Sequence, residues 1–232
     1  MNMFNCKNIF LTMIFTGLVI ASSQADIFVP AGLMPGDTYH LAFVTRDGID
    51  ATSTDIADYN AFVMAQAALN PSLTGTTEGV IWNVIGSTAT VAARDNAFVD
   101  APVFLFNSSK IADDFADIWD GSIDATLTLT QFAANSFVSQ HTGTGPDGLQ
   151  TTGRTLGSTP FVMTGAPFTD LRWIFSTQGD PAAARPLYAL SQKLTVPTAV
   201  PEPATFVVLL FAASVIGLVG IHRRRVRSVQ CA

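Results

Sequence analysis

The chain has almost no cysteine: of its 232 residues only Cys6 and Cys231 carry thiols, and both stand near the extreme ends. The long stretch between them therefore offers no disulfide staple, no cysteine nucleophile and no thiolate metal site. Cations are scarce as well. From Asp26 to Val200 seven bases (Arg46, Arg94, Lys110, Arg154, Arg172, Arg185 and Lys193) face seventeen acids, a net charge near −10. Such a body has no basic patch, which argues against nucleic acid and anionic lipid surfaces as its partners. Glutamate is nearly missing, so the acids are almost all aspartate, which suits turns and caps better than helix faces. The body holds just two histidines, His40 and His141, too far apart in sequence to make a good zinc case. No Gly-x-Ser-x-Gly elbow raises a serine nucleophile, and no pair of acids stands out as a glycosidase couple. These absences lead us to expect no enzyme, no catalytic residue and no obligatory cofactor.

What the chain does have is concentrated at its two ends. Lys7 precedes the apolar stretch from Ile9 to Ile20, and Ser23-Gln24-Ala25 follows with small residues flanking the middle one. Charged start, short apolar core and small-x-small exit make a secretory signal peptide, residues 1–25, cut between Ala25 and Asp26. At the other end an uncharged apolar run of 18 residues extends from Ala204 to Ile221 and is followed by Arg223, Arg224, Arg225 and Arg227. At about 1.5 Å rise per residue it makes a helix of roughly 27 Å, close to the hydrocarbon thickness of a bilayer. Arginines resist transfer through lipid, so residues 222–232 are expected to stay cytoplasmic and the body to stand outside.

Immediately before that run stands Val200-Pro201-Glu202-Pro203. The Pro-Glu-Pro motif, a single helix and a terminal arginine cluster together resemble the PEP-CTERM sorting signal of exported bacterial proteins. The resemblance covers about the last 32 residues. It implies that Pro201, Glu202 and Pro203 are the recognition and processing motif and that an exosortase-type membrane enzyme is the partner. It also implies Arg223, Arg224 and Arg225 as the retention signal, with Arg227 continuing the cluster.

Between the two signals lie about 175 residues, enough for one domain with a core of its own. Tyr39 to Thr45 has strand composition, and Thr54 is a plausible cap for a helix whose apolar residues Ile56, Tyr59, Val63 and Ala67 recur on one face. Asn70-Pro71 should end it. Further short strands are expected at Val80–Ile85, Val103–Phe106, Thr126–Phe132, Ser136–Gln140, Leu171–Ser176 and Pro186–Leu194. The Gly- and Thr-rich text from Thr142 to Gly148 reads as a long surface loop, and residues 196–203 as a proline-containing linker. One N-terminal helix with a mixed or antiparallel sheet over residues 26–195 predicts an α+β domain, with a β-sandwich as the alternative. Trp82-Asn83-Val84-Ile85-Gly86-Ser87, Asp117-Ile118-Trp119-Asp120-Gly121, Thr142-Gly143-Thr144 and Leu187-Tyr188-Ala189-Leu190 occur in an order that resembles uncharacterised exported domains similar to C-type-lectin-like folds.

Asp113, Asp114, Asp117 and Asp120, with Asp124, form the densest acidic cluster. Oxygen ligands from such a segment suit calcium, but the spacing is not that of an EF-hand loop. Capping of a short helix around Phe115 and Ile118 is the favoured reading of these aspartates. Trp82, Trp119 and Trp173 suggest either core packing, which is commoner, or a sugar-stacking platform. The sequence thus predicts a non-enzymatic cell-surface or extracellular-matrix protein. Signal peptidase, an exosortase and membrane lipid are its expected partners, with polysaccharide as a further one. The alternatives are a lectin-like carbohydrate-binding module, calcium-dependent if the aspartates ligate, and a secreted hydrolase.

Overall fold

The computed structural model describes residues 27–74 and 79–198. The signal peptide with its Ala25/Asp26 junction, the Pro201-Glu202-Pro203 motif, the expected helix at 204–221 and the arginines from Arg223 to Arg227 lie outside the described residues. Among those described, no helix is long and apolar enough to cross a membrane.

The elements follow in the order β1 (Thr38–Val44), α1 (Ile56–Ala68), a 3-10 turn (Pro71–Leu73), β2 (Trp82–Val84), α2 (Ala93–Asn96), β3 (Val103–Phe104), β4 (Lys110–Ala112) and α3 (Phe115–Ile118). Then come β5 (Gln140–His141), β6 (Val162–Gly165), a second 3-10 turn (Leu171–Trp173), β7 (Thr177–Gly179), β8 (Tyr188–Ser191) and β9 (Leu194–Thr195). The main sheet runs β2-β8-β1-β3-β4, with β9 also on β1, and β5-β6-β7 form a second, antiparallel sheet. The architecture is mixed, mostly sheet with few helices, in keeping with the α+β expectation.

β1 organises the molecule. After Thr38 it is buried on both faces, because it lies between antiparallel β8 and parallel β3. Successive side chains of a strand point to opposite faces, so one short sequence feeds two cores. Tyr39, Leu41 and Phe43 enter a cluster with Tyr59 and Val63 of α1, Trp82 and Leu187. Ala42 and Val44 enter the other, with Val103, Ile118, Trp173 and Tyr188. Without disulfides, stability rests on these aromatics: burying one such side chain fully contributes roughly 1.5–3 kcal/mol. Phe43 meets Trp82 edge-on at 4.9 Å, and Trp173 lies 6.0 Å from Trp119 and 5.9 Å from Tyr188.

The helix forms where periodicity places it, but Asp55 rather than Thr54 caps it. Asp55 Oδ1 accepts from Ala57 N at 2.9 Å, and Asn70 Oδ1 then caps the following turn through Ser72 N. Three expected strands change character. Thr126–Phe132 touches the sheet only through the bridge between Val44 and Thr130, because the chain reverses just beyond: Thr130 N donates to Ala134 O, Ala133 N to Thr130 O, and Ala133 takes a φ of 56°. Of Ser136–Gln140 only Gln140 enters a strand. At Leu171–Ser176 the carboxylate of Asp170 accepts from Arg172 N and starts a 3-10 turn instead.

The expected surface loop at 142–148 is a correction of another kind, since Thr142 and Thr144 are wholly buried. Their hydroxyls donate to main-chain carbonyls, Thr142 to Ile174 O at 2.7 Å and Thr144 to Thr142 O at 2.8 Å. A hydroxyl satisfied in this way loses little on leaving water, so threonine fills the core between the sheets.

Candidate functional site

The acidic cluster is built into a helix start. Asp114 Oδ1 accepts from Ala116 N at 2.8 Å and Asp117 N at 3.1 Å, while Asp117 Oδ2 accepts from Asp113 N at 2.6 Å. This reciprocal pair caps α3 in the manner of a capping box. Asp113 binds Lys110 Nζ at 2.5 Å, and Asp120 holds both the amide and the hydroxyl of Ser122. Among the described residues no three histidines, cysteines or carboxylates are grouped to hold a metal ion. The tryptophans are not a platform. Trp82 and Trp173 are 1% exposed and Trp119 8%, and Trp82 Nε1 donates to Leu73 O at 3.0 Å. The core absorbs them because they are the largest apolar surfaces the chain has.

Both histidines are buried in structural positions. His40 Nδ1 donates to the Ser191 carbonyl at 2.9 Å, and its Nε2 lies 3.1 Å from Asp100 Oδ1. The other Asp100 oxygen takes Lys193 Nζ at 2.5 Å, and that ammonium holds the Asp100 carboxyl below its ordinary range, with His40 assisting. The contact ties β1 to the β8–β9 turn. His141 Nε2 donates to Ala183 O at 2.8 Å, and its Nδ1 has no partner among the described residues. Burial pushes the His141 imidazole below its ordinary value; the Ala183 carbonyl opposes this.

The His141 shift makes stability depend on pH with a definite sign. The unfolded chain binds a proton on this ring near pH 6.5 and the folded chain resists it, so stability is full above that pH and falls on acidification. We expect urea denaturation of the wild type to lose up to about 1.4 kcal/mol per pH unit below about pH 6.5. In His141→Gln that slope should shrink while the neutral-pH baseline shifts separately. An unchanged slope would assign the acid sensitivity elsewhere.

A broad concave surface lies at the end of β1. This cleft of about 580 Å³ is lined by Arg46, Thr130, Phe132, Ala134 and Asn135 through Val138. Phe137 is 71% exposed, Val138 53% and Phe132 42%. The Arg46 guanidinium lies 5.0 Å from the Phe132 ring centre, a cation–π distance. A second depression of about 190 Å³ also includes Phe132 in its wall, with Phe28, Leu73 and Phe106.

The cleft is held by a buried amide network. Gln131 Oε1 accepts from Arg46 N at 2.9 Å, and its Nε2 donates to Gln66 Oε1 at 2.8 Å. Gln66 Nε2 in turn reaches Asp47 Oδ2 at 3.1 Å, and Asn70 Nδ2 donates to Gln131 O at 2.6 Å. One glutamine thus locks the 130–134 turn to both β1 and α1. Sequence reasoning placed Thr130 and Phe132 in one strand and Ser136 to Val138 in another, Arg46 in a turn, and missed the cleft. The available signal was Ala133-Ala134-Asn135-Ser136, a turn-like insertion between two phenylalanines.

Against known families, residues 199–225 match the PEP-CTERM protein-sorting motif, the segment that contains Pro201, Glu202, Pro203 and Arg223 to Arg225. The match supports an exported protein sorted by an exosortase. No curated protein matches the chain.

Proposed function

We propose that the chain is a non-enzymatic surface or matrix protein, exported, held by its C-terminal segment, and processed there for association with the envelope or an extracellular polysaccharide. The sorting-motif match at residues 199–225 carries this reading. Signal peptidase would remove residues 1–25, and lipid would hold the apolar run from Ala204 to Ile221 while the exosortase acts near Pro201-Glu202-Pro203. Two further observations give the candidate polar groups structural roles. His40 and His141 bond main-chain carbonyls in buried positions, and the acidic segment caps a helix.

A lectin-like binding module is the second reading. The open cleft at Phe132 favours it, and so does the antiparallel pairing of the described domain's last strands with its first, Thr38 with Thr195 and Ala42 with Leu190. Calcium dependence belongs to this reading, and a thermal melt with and without EDTA tests it, since a ligand of the native state raises its melting point.

Pulse-chase of the chain with a C-terminal epitope tests the principal reading. The expected result is a membrane-bound precursor that converts to a shorter, tag-free product recovered outside the membrane fraction. A tag that stays with the intact chain throughout the chase overturns it.

A further inference from the structure

We propose that the cleft beside Phe132 binds a neutral glycan chain, with Phe132 and Phe137 as stacking faces and Arg46, Asn135 and Ser136 as polar holds. The inference rests on the reading above that the body works outside the cell. Four observations carry it.

The first is cost. Phe132, Phe137 and Val138 are exposed within seven positions of one another, in a chain whose three tryptophans and three tyrosines were available to the core. Apolar surface gathered on a monomer marks a place where something else covers it.

The second is rigidity. Gln131 is wholly buried, and its bonds to Arg46 N and Gln66 fix the turn that carries Phe132, while Ser136 N donates to Thr128 O at 2.8 Å just before Phe137. Val44 N donates to Leu129 O at 2.8 Å, so the wall is continuous with the central strand. Phe132 therefore stands on a frame that does not need to order itself on binding.

The third is the mixture of groups. Asn135 Nδ2 and Ser136 Oγ have no hydrogen-bond partner among the described residues and lie in the cleft wall, next to the Arg46 guanidinium. Small-ligand sites combine an apolar lining with a few convergent donors and acceptors, over a few hundred cubic ångströms. A sugar ring presents an apolar C–H face and a rim of hydroxyls, and so matches an exposed phenyl face beside an amide, a hydroxyl and a guanidinium. A hydrocarbon ligand would leave the polar groups unmatched. The body's excess of acids, with Arg46 itself paired to Asp47 at 3.3 Å, disfavours a polyanion. The second depression shares Phe132 with the cleft, so a polymer longer than one ring could engage both.

The fourth is position. The chain leaves the domain at the start of β1, where Val196 N donates to Asp37 O at 2.8 Å and Gly36 N to Val196 O at 3.0 Å. The cleft adjoins the other end of the strand, at Val44 and Arg46. With about 3.3 Å per residue, β1 separates them by roughly 20 Å. The cleft thus lies at the end of β1 opposite the last described residues, away from the point where the chain continues.

The test uses the full chain in detergent, with neutral glucan, mannan and galactan oligosaccharides as probes in affinity electrophoresis and equilibrium dialysis. We expect at least one of these glycans to retard the wild type. Phe137→Ala should weaken that binding tenfold or more and Asn135→Ala severalfold, while the melting temperature of Phe137→Ala stays that of the wild type because the ring is exposed. Phe132→Ala provides a second aromatic deletion. No retardation by any of the three glycan classes overturns the proposal, as does retardation that survives both phenylalanine substitutions. Phe137-dependent binding to phosphatidylcholine vesicles, with no glycan binding, overturns it in favour of a lipid contact. Processing of the C-terminal tag is followed in the same variants: normal processing without glycan binding sinks this proposal alone, whereas an unprocessed tag sinks the reading beneath it.

Discussion

Gly143→Ala is expected to abolish soluble folded domain, with a loss of more than about 4 kcal/mol, the range reserved for severe core strain. Two effects act together. Gly143 has a φ of 65°, and a left-handed conformation costs an L-residue roughly 1–2 kcal/mol. A Cβ there would also sit 2.4 Å from Leu156 N and 2.5 Å from Ser87 O. Those two atoms are main chain and are bonded to each other at 2.8 Å, so neither can retreat without breaking the link between the segment before α2 and the 155–157 segment. Gly153 is the control. It has a φ of 68° and nothing within 4 Å of the point where a methyl group would stand, so Gly153→Ala bears the conformational cost alone. Urea denaturation of both variants separates the contributions: a drop of about 1–2 kcal/mol for Gly153→Ala and no cooperative transition for Gly143→Ala. Equal effects at the two positions would show that the packing around Gly143 is looser than its distances state.

The same segment shows where sequence reasoning stops. β1 and α1 were legible because their signals are local: a seven-residue stretch rich in aromatic and aliphatic strand formers, and Ile56, Tyr59, Val63 and Ala67 on a 3.6-residue period. Thr142-Gly143-Thr144 has the composition of a loop, and its burial is decided by carbonyls at Met163 and Ile174, some twenty and thirty positions away. Nothing within the segment announces them. The short strands β4, β6 and β7 escaped for a related reason. They run three or four residues, carry lysine, threonine, glutamine or glycine, and exist only because a partner strand is already in place. Leu171–Trp173 had strand-like composition, but one preceding aspartate redirected the backbone.

The candidate cleft was illegible on two counts. Residue type gave the wrong aromatics, since tryptophan is the usual sugar platform and here all three are core. Exposure of Phe132 follows from the reversal at Ala133, which ends the pairing with β1 at Thr130, and Phe137 lies in the unpaired stretch before β5. The sorting signal is the opposite case. The match at residues 199–225 is to a linear motif, so it was legible from residue order alone.

Replacing Pro201, Glu202 and Pro203 together by alanine is expected to leave the full-length precursor as the sole product at times when the wild type is fully converted. The chemistry of the motif gives the reason. Proline has no amide hydrogen to offer a sheet or a helix, and it drives the residue before it out of the helical region. Val200 and Glu202 each precede a proline, so both favour an extended backbone, the form in which a processing enzyme takes a peptide. Alanine removes this restriction and is the best helix former, allowing the helix expected from Ala204 to extend back toward the domain. The last anchoring bonds of the domain, at Val196, lie only five residues before Pro201, a reach of at most about 18 Å when extended. Helical winding at about 1.5 Å per residue would shorten that reach to less than half and draw the site toward the folded body. Inserting a Gly-Ser pair after Thr198 in the triple-alanine chain distinguishes the two consequences: restored processing would show that access was limiting, and continued arrest that the side chains themselves are read. Thermal unfolding of the domain should be identical in all these chains, because the bonds that anchor its end are those of Val196, ahead of every change. Conversion of the triple-alanine chain at the wild-type rate would remove Pro201-Glu202-Pro203 from the processing step.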